Sequence, residues 1–179
     1  SMGDDTPTAV LSGKYRPLSH FFRQNFSQVT NPAIDSLREN EVMSLKTRFG
    51  NLGNILDFEN LTKDNIHVLD SPILSNSQFK KFTVFFKNNL KVLDCTFDVQ
   101  NNLKKRLDQL CSEAEIAVRE GCKHLILSDK KISEKKAAIP IILAVGAINS
   151  KLVNLGIRGF VSINVQTGEV LDTHSFAVL

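Results

Sequence analysis

The chain has 179 residues, 42% of them hydrophobic and 23% charged, with a formal net charge of +3. That suffices for one domain with a real core, since a chain of this size buries roughly 70% of its unfolded surface. The charge is too small and too mixed to mark a nucleic-acid binder, and no apolar run approaches the roughly 20 residues of a membrane span. The opening residues also lack the charged and apolar regions of a signal peptide.

Residues 1–13 are polar and turn-rich, and read as a loop. Pro17 suits the first turn of a helix, and Leu18, Phe21, Phe22 and Phe26 share one face, so 17–28 is expected to be a short amphipathic helix. Asn31-Pro32 is turn chemistry. Ser36 and Glu39 then form an S-x-x-E capping box before Val42, Leu45 and Phe49, which predicts a helix from about 36 to 48. Locally this is a rigid turn followed by a capped helix, a common connector. Residues 50–74 look irregular, with Gly50, Asn51, Gly53 and Asn54 as breakers and His67 as a surface histidine. Ser75 to Gln78 reads as a second capping box, opening a short helix over Phe79 and Phe82.

From Lys91 the pattern changes to strand and helix in alternation. KVLDCT at 91–96 reads as a strand. Val99, Leu103, Leu107, Leu110, Ala114 and Val118 mark a long amphipathic helix that Gly121 ends. HLILS at 124–128 is a short apolar strand, Pro140 opens a second helix through Leu152 that Gly156 closes, and Phe160 to Val165 is a third strand. Strand, helix, strand, helix, strand with short links predicts an α/β fold whose parallel sheet has right-handed crossovers. The last dozen residues admit two readings. Thr167-Gly168 turns a hairpin, or Thr167 caps a helix over Val170, Leu171, His174 and Ala177.

Chemistry has few places to sit. The strand ending in Ser128-Asp129-Lys130 is the best local candidate, because ligands of parallel α/β sheets gather at strand carboxyl ends. Asp94 and Asp98 fall near the same end of the preceding strand, so two carboxylates and a lysine could form an acid/base pair or a magnesium site. The plainer reading makes Asp129 and Ser133 turn caps and Lys130, Lys131, Lys135 and Lys136 a solvated basic run, and it is preferred. His20, His124 and His174 lack metal-ligand spacing. Cys95, Cys111 and Cys122 are odd in number and form no C-x-x-C, so they read as reduced structural thiols. No G-x-G-x-x-G, Walker loop or G-x-S-x-G occurs.

Larger motifs remain. SMGDDTP at 1–7, AVLS at 9–12, QVTNPAIDSLRE at 28–39, VMSL at 42–45, SPILS at 71–75, LILSDK at 125–130 and IPIILAVGAI at 139–148 occur in one order. Together they resemble the central domain of the glutamate synthase large subunit, from the first residue to the last with a divergent middle. The resemblance implies a partial (β/α) barrel-like parallel sheet with helical N-terminal segments, 1–90 being mainly helix and loop and 91–179 alternating. It implies a helix in the last dozen residues, and a chain that is a fragment of a much larger one. It implies a non-catalytic segment joining a glutamine amidotransferase domain to an FMN synthase domain, with a small reductase subunit as a further partner. FMN and an iron–sulfur cluster belong to other parts of the parent enzyme, and the location is cytoplasmic, or plastid in a photosynthetic eukaryote. Carried over by position, Met2 and Thr30, with Asn31 beside them, line an ammonia tunnel. Asp4 stands where the family usually has Asn, Lys130 where Arg is usual, and Ile148-Asn149-Ser150 where histidines are common; the first adds charge near the implied tunnel.

Overall fold

The computed structural model describes residues 8–23, 35, 37–49, 56 and 66–179. Packing divides the chain into two units, one of residues 46–170 and one that combines 1–45 with 171–179. In chain order come two 3-10 turns (Ala9–Leu11 and Leu18–Phe22), helix α1 (Glu39–Val42), and strands β1 (Thr47–Phe49) and β2 (His67–Leu69). Helix α2 (Asn76–Phe85), strands β3 (Leu90–Asp94) and β4 (Thr96–Asp98), helix α3 (Leu103–Arg119) and strand β5 (His124–Ser128) follow. Strand β6 (Lys136–Ala138), helix α4 (Ile141–Asn154), strand β7 (Ser162–Gln166) and helix α5 (Thr173–Val178) complete the order.

The larger unit is built on a parallel sheet in the order β3-β5-β7. Leu93 pairs with Leu127 and Leu127 with Val165, so each such row shares one face of the sheet. Two successive crossovers that step the same way along a sheet put their helices on one side when both are right-handed. Helices α3 and α4 do pack on each other, α3 also on β3 and α4 on β5. The central strand β5 is buried at all five positions, as a strand covered on both faces must be. Its neighbours in the core include Leu110 and Ala114 of α3 and Ile141, Ala144, Ile148 and Leu152 of α4. The α/β class and the two βαβ units therefore stand as the sequence predicts.

Helix boundaries follow local chemistry. The Ser75 hydroxyl accepts from Gln78 N–H while the Gln78 side chain accepts from Ser75 N–H, the reciprocal capping box expected at α2. Asn102 Oδ1 caps α3 by accepting from Lys104 and Lys105 N–H. Gly121 and Gly156 end α3 and α4 with positive φ, +91° and +69°, which a side chain would resist. Val99 falls outside α3, as the first residue of the turn after β4.

Other expectations are corrected. The helix predicted over 36–48 shrinks to the single turn of α1, and Phe49 belongs to β1, whose register sets Thr47 against Leu69. Ser36, the expected cap, lies outside the described residues, while Asp35 Oδ1 accepts from Leu37 and Arg38 N–H and Asp35 Oδ2 pairs with Arg38. That bonding closes a local turn without propagating a helix. The 17–28 helix appears as the 3-10 turn Leu18–Phe22, and residues 24–34 lie outside the described ones. His67 is half-buried in β2 with its ring 5.3 Å from Phe85. The C-terminal helix forms, but over Thr173–Val178 and capped by Asp172 instead of Thr167.

Candidate functional site

The carboxyl ends of the parallel strands bring Asp94, Ser128 and Gln166 into one row. Asp94 Oδ1 accepts from Thr96 N–H at 3.1 Å and from the Thr96 hydroxyl at 2.7 Å, and Oδ2 lies 3.4 Å from Lys131 Nζ. Partial burial pushes the Asp94 pKa up, but the Thr96 hydroxyl, Lys131 and the Thr96 amide outweigh it and hold it below the usual carboxylate value. Arg106, from the first turns of α3, donates to the Asp94 and Thr96 carbonyls at 2.7 and 3.2 Å and pairs with Glu113 at 2.6 Å. Its guanidinium thus ties α3 to the β3–β4 junction.

Beside that junction lies a polar cleft of about 330 Å³. Asp94, Asp98, Lys105, Arg106, Gln109 and Lys136 supply its polar lining. Asp98 and Lys136 are cross-strand partners of the antiparallel β4–β6 pair. That pair escaped the sequence reading, which took the 130–136 lysines as a solvated run. Asp94 and Arg106 are committed to the fold by the bonds above. Asp98, Lys105, Gln109 and Lys136 remain at the rim, a set suited to holding a small polar anion and without a group placed to act as nucleophile.

Asp129 and Lys130 do not join this cleft. Asp129 is buried, and its Oδ2 accepts from the Thr167 hydroxyl at 2.6 Å and from Gly168 N–H at 3.1 Å. It fastens the turn after β7, so the expectation that it caps a turn is right in kind, but the turn is 38 residues away in sequence. Ser128 Oγ donates to Gln166 Oε1 at 3.1 Å. Glu169 Oε2 accepts from Ile141 N–H at 3.0 Å, a carboxylate at the start of α4, where the helix dipole favours negative charge. The acid–lysine constellation is therefore split: Asp94 and Asp98 line the cleft, Asp129 holds the turn after β7, and Lys130 lies outside the cleft.

His124 is wholly buried, its ring 4.0 Å from that of Phe86 and 5.3 Å from that of Phe82. Neither ring nitrogen has a partner among the described residues. Burial, reinforced by the neighbouring Lys123 charge, pushes its pKa down to about 4, so it is a neutral core ring at ordinary pH. The three cysteines are free thiols. Burial pushes Cys95 up to about 12 and raises Cys111 and Cys122, the opposite of what an activated nucleophile needs. Among the described residues no group of three or more His, Cys, Asp or Glu could hold a metal ion, and no helix is long and apolar enough to cross a membrane.

The smaller unit gathers polar residues that the sequence left dispersed. Ser19 and Ser175 are buried with their hydroxyls 3.2 Å apart. His174 Nε2 donates to the Ser19 carbonyl at 2.8 Å, and Asp172 Oδ1 accepts from Ser175 N–H at 2.7 Å and from its hydroxyl at 2.5 Å. His20 Nε2 sits 3.8 Å from Asp172 Oδ2. Ser, His and Asp are together, but the serine donates to the carboxylate and not to an imidazole, so the arrangement is a structural knot and no triad. No sequence signal could reveal it, because Ser19 and Ser175 are 156 positions apart. Met2, Thr30 and Asn31, the residues assigned to the tunnel, lie outside the described residues.

The described residues thus give a parallel α/β unit with a polar cleft, hydrogen-bonded Asp94 and Asp129 and unactivated thiols. Sequence comparison supplies the family: the glutamate synthase central domain model matches residues 1–179, and the chain belongs to that family. It is 53% identical, over its whole length, to the large chain of an NADPH glutamate synthase from Azospirillum brasilense. Over 99% of the chain it is 42% identical to the chloroplastic ferredoxin-dependent glutamate synthase of Spinacia oleracea, and over all of it 40% identical to the NADPH glutamate synthase large chain of Bacillus subtilis. The chain spans only 12%, 11% and 12% of those three relatives.

Proposed function

We propose that this chain is the connecting segment of a glutamate synthase large chain, joining the glutamine amidotransferase domain to the FMN synthase domain. The family match across residues 1–179 is the observation that carries this reading. In it the parent enzyme is an oxidoreductase acting on CH–NH2 groups. Ammonia released from glutamine at one site travels internally to the other, where it meets 2-oxoglutarate, and the resulting 2-iminoglutarate is reduced to glutamate. FMN, the iron–sulfur cluster and the determinants of the reductant belong to other parts of the parent, and the isolated segment is inactive. The enzyme is cytoplasmic, or plastid in a photosynthetic eukaryote.

Met2, Thr30 and Asn31 are assigned to the tunnel wall. Ammonia must remain unprotonated and out of bulk water on the way. A thioether, a hydroxyl and an amide suit that passage. The test is Thr30→Phe in the full parent enzyme, comparing synthesis driven by glutamine with synthesis driven by free ammonia. Glutamine-driven synthesis should fall at least tenfold while ammonia-driven synthesis persists. Equal, unchanged rates in a folded protein would remove Thr30 from the path and leave a spacer.

A second reading, a small-molecule-binding module, draws on the cleft at Asp98, Lys105 and Lys136. Stoichiometric heat on titrating the isolated chain with small dicarboxylates would favour it.

A further inference from the structure

The cleft beside the β3–β4 junction holds polar groups that the fold does not use. Asp94 is bonded by Thr96 and Lys131, and Arg106 by Glu113 and two carbonyls. Lys105, Gln109 and Lys136 line the same cleft, and their side chains make no hydrogen bond or ion pair among the described residues. They come from separate elements. Lys105 and Gln109 are four apart on α3 and share one face of it, while Lys136 opens β6. A single unpaired lysine on an open surface is commonplace. Here two of them and a free amide border one concavity of about 330 Å³, a volume within the range of small-ligand clefts.

Helix α3 adds its field, because its N-terminal end borders the cleft and the positive pole of a helix favours negative charge. The amides of Lys104 and Lys105 are already taken by Asn102 Oδ1. The donors left for a ligand are therefore the two ammonium groups and the Gln109 amide. Ammonium groups serve a phosphate as point charges, whereas planar recognition of a carboxylate suits an arginine fork. The arginine of this cleft is committed to Glu113 and the backbone. Asp98 completes the lining. Its Oδ2 accepts from Asn101 Nδ2 at 3.2 Å, and no cation pairs with it among the described residues. Such a carboxylate repels a bare anion but accepts from a hydroxyl. We propose that the cleft binds a small hydroxylated phosphate monoester, its phosphoryl group held by Lys105, Lys136 and the Gln109 amide and its hydroxyl donating to Asp98. This rests on the reading of the chain as a small-molecule-binding module and gives that reading a ligand class.

Amide chemical shifts of the 179-residue chain, titrated with glycerol phosphate at constant ionic strength, test this. Saturable shifts should gather at residues 98–109 and 136. The Lys105→Gln/Lys136→Gln double variant should bind at least tenfold more weakly, with the resonances of residues 124–128 in place to show an intact fold. Inorganic phosphate should bind the native chain more weakly than glycerol phosphate does, and Asp98→Asn should abolish that preference. Shifts spread over every exposed lysine, or a double variant that binds as well as the native chain, overturn the site. Equal binding of the two phosphates by the native chain overturns the part given to Asp98. Succinate saturating the same residues at equal or lower concentration overturns the phosphate class and leaves the binding-module reading standing. No saturable shift with any of these probes overturns both. The tunnel is read separately by Thr30→Phe, and none of these outcomes bears on it.

Discussion

The two units of this chain are held together by opposite means. Residues 46–170 bury Leu93, Leu110, Leu125, Leu127, Ile148 and Leu152 around a parallel sheet. Among the described residues of 1–45 and 171–179, Tyr15, Phe21, Phe22 and Phe176 are exposed, and hydroxyls, one imidazole and one carboxylate tie the turn Leu18–Phe22 to α5. Apolar burial is the dominant favourable term in folding, and a hydrogen bond adds only about 1 kcal/mol net. The larger unit therefore rests on apolar burial, and the described part of the smaller one on hydrogen bonds.

The widest gap should appear when the same substitution is made in both units. Phe82 is 1% exposed and packs its ring on Phe86 and His124. Phe82→Ala should cost about 3–5 kcal/mol, the range for deleting a buried aromatic ring. Phe22→Ala, at a half-exposed position, should stay within about 0.5 kcal/mol in the isolated chain. Urea unfolding followed by circular dichroism compares the two directly. Near-equal costs would mean that Phe22 is buried in solution and that the contrast between the units is false.

How far the sequence reveals each unit follows the same division. The capping box of Ser75 and Gln78, the glycine stops at 121 and 156 and the apolar strand 124–128 are local signals, and each predicts the element observed. They succeed because a cap, a positive φ and an apolar run depend on neighbours within a few residues. The β4–β6 pair, the Asp129–Thr167 bond and the Ser19–Ser175 contact depend on partners brought close only by the finished fold. The Val42, Leu45, Phe49 spacing misleads for a related reason. Its helical period is real, but Asp35 diverts the first amides into a turn and β2 offers Phe49 a strand partner. Residues carrying the family motifs identify the parent without revealing geometry, and Met2, Thr30 and Asn31 remain proposals of that kind.

A smaller effect inside the larger unit comes from pH. His124 has a folded pKa of about 4 against an ordinary 6.5. Between those values the unfolded chain binds the extra proton and the folded chain does not, so stability falls as pH drops through this window. The contribution is complete above pH 6.5 and exhausted below pH 4. Two and a half pH units correspond to about 3 kcal/mol. His124→Phe should flatten the urea midpoint between pH 6.5 and 4.5 and leave an aromatic ring among Phe49, Phe82 and Phe86. An unchanged slope would show that a polar partner or water reaches the ring.

The smallest expected effect tests whether the polar knot is local. Ser175→Ala removes the hydroxyl that donates to Asp172 and faces Ser19 Oγ, while keeping the backbone amide that caps α5. A buried hydroxyl then lacks its partner, at a cost of about 1 kcal/mol, equivalent to roughly fivefold faster opening. Exchange should quicken by that factor at residues 173–178 and 18–22, with protection at 124–128 and the urea midpoint of the larger unit unmoved. The amplitude is modest because the knot is one of several bonds: His174 still donates to the Ser19 carbonyl. A shift of the larger unit's midpoint would carry more information than the local loss, since energy would then pass between units that differ in everything else.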